Sequence, residues 1–92
     1  MNQEPHRIEE LIKSLEQQRD ELSVKINLAG MELRDEWDRI DAKLTKLSAK
    51  YDPLKDAVGE TADDVWDALK ELGGEVATGF KRIRASLKKQ AD

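Results

Sequence analysis

Leu11, Leu22, Leu33 and Leu44 stand eleven residues apart, and Leu15, Ile26 and Trp37 repeat that interval four residues further on. Ala29, Ile40 and Tyr51 form a third row, seven residues after the leucines. The second half of the chain carries its own set: Leu54, Val65, Val76 and Leu87, then Val58, Leu69 and Phe80, then Thr61, Leu72 and Ile83. Three helical turns per eleven residues is about 3.67 residues per turn, close to the ~3.6 of a straight α-helix. An apolar stripe with that period stays on one side of a rod, and it predicts nearly straight amphipathic helices.

The two registers do not join. Eleven residues beyond Leu44 is Lys55, whereas the second series begins at Leu54. The slip falls at Tyr51-Asp52-Pro53, where Asp52 can cap a helix and Pro53 suits its first turn. The residue before a proline also disfavours helical backbone angles. The pattern therefore predicts an all-α fold of one domain: helix 1 over about 5–50, a turn at 51–53, and helix 2 over about 53–89. Rival readings are a proline kink in one continuous helix, or a later start at Thr61-Ala62-Asp63-Asp64, which resembles a capping box. A short connection implies antiparallel neighbours, a two-helix hairpin of the eleven-residue coiled-coil type. Charge agrees, because the acids at 56–75 would lie beside Lys43, Lys46 and Lys50. The bases Lys81, Arg82, Arg84, Lys88 and Lys89 would lie beside Glu9, Glu10 and Glu16.

A hairpin alone is too thin for this sequence. Helix 2 pairs its apolar positions as neighbours, such as Val65/Trp66, Leu72/Gly73, Val76/Ala77 and Gly79/Phe80, a stripe wide enough to touch two helices. Around Leu22–Met31 the chain is apolar nearly all round, with Val24, Leu28 and Met31 off the main stripe. Its two-residue alternation there mimics a strand, but a lone strand would leave its backbone groups unpaired. Two-helix chains have little core and usually oligomerise. The expectation is a homodimer forming a four-helix bundle, with Val24, Leu28, Met31, Trp37 and Trp66 at the oligomer interface.

Composition narrows the function classes. Charged residues make up 39% of the 92 residues, aromatics 4%, and the net charge is −4. An acidic balance argues against nucleic acid, which calls for a basic excess. No apolar run is long enough for a transmembrane span, and the first residues do not read as a signal peptide. Absence of cysteine removes disulfides and thiolate metal sites and fits a reducing cytoplasm. His6 is the one histidine; no Glu-x-x-His metal pair exists, and no serine has a histidine base nearby. Gly73-Gly74 lacks a phosphate-loop pattern and suggests close packing or a weak point in its helix. No catalytic residue, metal or cofactor is expected.

The stretch Val76–Lys89 is basic and amphipathic. Such a helix can lie on a membrane surface or dock on a partner, here through Val76, Phe80, Ile83 and Leu87 with Lys81, Arg82 and Arg84. The simpler account is a helix end balancing its dipole. The segments Asp20-Glu21-Leu22-Ser23-Val24 through Arg34-Asp35-Glu36-Trp37, Asp64-Val65-Trp66-Asp67-Ala68-Leu69 and Gly79-Phe80-Lys81-Arg82-Ile83-Arg84 resemble a widespread group of small, highly charged bacterial coiled-coil proteins. That resemblance spans roughly residues 8–88 and implies a helical fold and bacterial origin, not an activity. The eleven-residue period is also similar to that of lipid-surface and desiccation-protective helical proteins, whose apolar rows are mostly Ala and Thr. Leu, Ile, Val, Trp and Phe fill the rows here and favour a permanently folded bundle. The expected role is a self-associating cytoplasmic scaffold or stress-related protein. The alternatives are peripheral lipid binding and an adaptor that accepts a foreign helix.

Overall fold

Ala, Leu, Glu, Lys, Gln and Arg fill most of the chain, and these residues lose little freedom in a helix. The computed structural model describes residues 4–55 and 63–91, with side chains described over 6–55 and 63–89. The described residues are helical and hold no strand. Helix α1 spans Glu4–Ile26, α2 spans Met31–Tyr51, a 3-10 turn follows at Asp52–Leu54, and α3 spans Asp63–Ala91.

The first predicted helix, over about 5–50, is therefore two helices. The chain turns at Asn27-Leu28-Ala29-Gly30, where the Leu28 N–H donates to the Lys25 carbonyl at 3.1 Å and the Ala29 N–H to the Ile26 carbonyl at 3.0 Å. These are i→i−3 bonds, the tightened last turn of a helix that is ending. Asn27 and Gly30 are poor helix formers, and Gly30 takes the extended backbone of an N-cap residue. The residues that read as a helix apolar on every side are a turn and its two flanks.

Helix α2 ends at Tyr51 and the 3-10 turn begins at Asp52, with Pro53 in its first positions. The predicted start of helix 2 at 53 is replaced by that 3-10 turn, since three residues there follow i→i−3 bonding. Asp56, Val58, Glu60 and the rival start at Thr61 lie outside the described residues.

With the fold-back in place, α3 packs on both α1 and α2. On α2, Trp37 faces Phe80 with ring centroids 5.5 Å apart, Lys43 reaches Glu75 at 3.8 Å, and Leu47 lies beside Gly73. Ascending numbers on α2 meet descending numbers on α3. On α1, Leu11 lies against Gly73 and Gln18 accepts from Arg84 at 3.5 Å, so α1 and α3 advance together. Arg19 and Asp41, 4.0 Å apart, link α1 to α2. The rod measures 49 × 19 × 18 Å.

The core runs along its axis through Ile8, Leu15, Leu22, Leu33, Leu44, Leu47, Trp66, Val76, Phe80 and Ile83. No charged side chain among the described residues is buried. The two-residue-wide stripe of α3 does touch two helices, and both belong to its own chain. Two glycines permit the approach. A Cβ on Gly73 would overlap Leu11 Cδ2, and one on Gly79 would overlap Ile40 Cδ1 and stand 2.6 Å from Ile40 Cγ1. Gly74, next door, faces open space.

Three consequences correct the sequence reading. A four-helix bundle made from two hairpins is not what this chain offers, because one chain already supplies three helices. The basic end of α3 lies beside residues 18–25 of α1 and not beside Glu9 and Glu10, since the fold-back reverses which end of helix 1 it meets. Glu9 and Glu10 instead pair within α1, with Lys13 at 3.9 Å and His6 at 3.1 Å.

Candidate functional site

At one end of the rod, three elements converge. Helix α1 ends at Ile26, α2 begins at Met31, and the last turns of α3 lie beside them, because Leu22 and Lys25 share a groove with Arg84, Leu87 and Lys88. The buried rows of α1 and α2 point inward and take Leu22, Ile26 and Leu33 with them. Val24, Leu28 and Met31 are off those rows, so the turn leaves them outside. Their exposures are 73%, 91% and 78%. Among the described residues the one other exposed large apolar side chain is Val65, at the far part of the rod. Isolated exposed leucines are ordinary, but three large apolar residues around a single turn are not.

The groove beside them holds about 360 Å³. Its floor is apolar, with buried Leu22 and half-buried Leu87, and its rim is the exposed cations Lys25, Arg84 and Lys88. Among the described residues no carboxylate lines it. Across the turn, the first turns of α2 carry the exposed acids Glu32 and Asp35. An acidic residue there suits the positive end of the helix dipole, and Lys88 and Lys89 suit the negative end of α3.

The structure separates the residues predicted as an interface. Val24, Leu28 and Met31 are at the surface together. Trp37 and Trp66 are not interface residues in this chain: they are 9% and 1% exposed, in the core the three helices make among themselves. Trp37 stands on an eleven-residue row and Trp66 beside one, and the fold-back supplies the cover that a second chain was expected to give. The predicted membrane face is corrected likewise. Val76, Phe80 and Ile83 are fully buried and Leu87 is half-buried, whereas Lys81, Arg82 and Arg84 are exposed. The bases of α3 are available and its apolar row is not.

Sequence reasoning missed the turn at Asn27–Gly30, the groove, and the inward positions of Ile8, Ile12 and Leu47. The Asn and Gly bracketing the turn were the available signal. Leu47 and Trp66 sit beside the eleven-residue rows, where a three-helix core is wider than a two-helix seam. Among the described residues no group of three His, Asp or Glu side chains is placed to hold a metal ion, and no helix is long and apolar enough to cross a membrane. No protein-family model, curated protein or solved structure matches the chain.

Proposed function

We propose that this is a non-enzymatic helical protein that works by self-association, with a structural, scaffold or stress-related role in the cytoplasm. One observation carries the reading: Val24, Leu28 and Met31 stand exposed around one turn while the apolar rows beside them are buried. Water contact with large apolar side chains is unfavourable by about 25 cal/mol per Å², so covering them by a second chain is favourable. A closed two-fold pair is the commonest way to cover a patch. It keeps the expected place of the contact and changes its form, from two hairpins to two three-helix rods meeting at their turns. The cytoplasmic setting rests on the cysteine-free sequence. A relation to small bacterial coiled-coil proteins is part of the same reading.

Size sets the expected strength. The rod is 19 × 18 Å in cross-section, so an end-on contact is smaller than the ~800 Å² per partner of a standard interface. Association is expected in the micromolar range. Sedimentation velocity from low micromolar to near-millimolar protein tests it. The mass should rise toward that of a dimer, and Leu28→Glu should return it to a monomer. A wild-type chain that stays monomeric throughout sinks the proposal. Lipid binding through Val76, Phe80 and Ile83 is disfavoured, because exposing those side chains means opening the core.

A further inference from the structure

Resting on that reading, we infer that the turn of one chain seats in the basic groove of a second copy, knob into groove and reciprocally. Knob and groove lie at the same end of the rod and share the Lys25 region: the Lys25 carbonyl holds the Leu28 N–H at 3.1 Å, and the Lys25 side chain forms part of the groove rim. A two-fold contact brings the same patch of both chains together and must be self-complementary, and two complementary features side by side on one patch meet that condition.

The features match in shape and in sign. Leu28 and Met31 are exposed apolar side chains that need cover, and half-buried Leu87, over buried Leu22, offers an apolar floor in the groove. The flank of the knob is net acidic over residues 31–36, with exposed Glu32 and Asp35 and half-buried Glu36 against exposed Arg34, and Lys25, Arg84 and Lys88 rim the groove. Seating the knob of one chain brings its two exposed acids to the three bases of the other, and the symmetry repeats the contact. Charge complementarity therefore selects a second copy as the occupant. An anionic membrane would satisfy the bases but would repel Glu32 and Asp35 at the same edge. Like charges within each chain also oppose the wrong pairing, groove against groove.

Two charge-reversed chains test this. One is Arg84→Glu with Lys88→Glu, which makes its groove acidic; the other is Glu32→Lys with Asp35→Lys, which makes its knob basic. Each alone should self-associate at least about tenfold more weakly than wild type, because every contact then sets like charges together. Mixed in equal amounts, they should recover association, since each knob then meets a groove of opposite sign. Circular dichroism of each variant checks that it is folded. The sequence has no cysteine, so Leu28→Cys and Leu87→Cys give an unambiguous second readout. Oxidising a mixture of those two variants should yield a cross-linked dimer.

Wild-type association with no response to either reversal, or no recovery on mixing, overturns the knob-and-groove contact and leaves self-association standing. A wild-type chain that never associates overturns both. Binding of the monomer to phosphatidylserine vesicles that is abolished by Arg84→Glu with Lys88→Glu overturns the second copy as occupant in favour of a lipid surface.

Discussion

Leu15 and Leu28 are the same side chain on adjoining parts of the chain, yet one is 1% exposed and the other 91%. The middle of the rod and its turn end differ in what the neighbouring helices can cover. At the middle, three helices surround one line of side chains, and Gly73 and Gly79 bring α3 close enough to close it. At the turn the chain reverses, and the side chains on the outside of a reversal have no helix beyond them. Apolar residues in the first place stabilise the single chain. Those in the second contribute little to it and are free to serve a partner.

Four measurements put the contrast between the packed middle and the turn to the test. The largest effect is expected from Phe80→Ala, which empties the space beside Trp37 and should cost about 3–5 kcal/mol in urea unfolding. A loss under about 1 kcal/mol would mean the middle is not a packed core.

Next come the glycines. Gly79→Ala drives a methyl into buried, branched Ile40 and should destabilise by about 1–2 kcal/mol, overpacking outweighing the gain in helix propensity. Gly74→Ala meets open space and should stabilise by about 0.5–1 kcal/mol. Gly73→Ala falls between, because Leu11 is half-buried and the end of its side chain can move. Equal effects at all three positions would dissolve the distinction between close approach and open surface.

At the turn, Leu28→Gln with Met31→Gln should leave unfolding free energy within about 0.5 kcal/mol of wild type while abolishing association. A large stability loss would place these side chains in the core after all. The smallest effect is expected at Gly30, an N-cap with extended backbone, no side-chain cap bond and open space around it. Gly30→Ser should stabilise the fold by a few tenths of a kcal/mol, read as a small rise in the midpoint of thermal unfolding.

Much of the interior was legible in the sequence. Leu15, Leu22, Ile26, Leu33, Trp37, Ile40, Leu44, Tyr51, Leu69, Val76, Phe80 and Ile83 were all read as stripe residues, and all are buried. Their period identified helices because a side chain every three or four residues faces one way whatever the helix packs on. The candidate site was half legible. Val24, Leu28 and Met31 stood out as apolar residues off the stripe, but the groove of Leu22, Lys25, Arg84, Leu87 and Lys88 joins residues far apart in the chain, and no local pattern announces it. Trp37 and Trp66 were assigned to an interface because a hairpin had no other way to cover them.

Spacing along the chain was enough to predict helices and the inward side of most of their rows, Val65 being a row residue that is 39% exposed. Which helices cover those rows followed from the fold alone. The spacing from Leu22 to Leu33 is the same whether the backbone runs straight or reverses at Asn27–Gly30, since each helix presents its own row to the core in either case. Local periodicity fixes a face, and long-range packing fixes what that face meets. Reversal brings three helices of one chain around a common core, leaving Val24, Leu28 and Met31 as the apolar remainder on the outside.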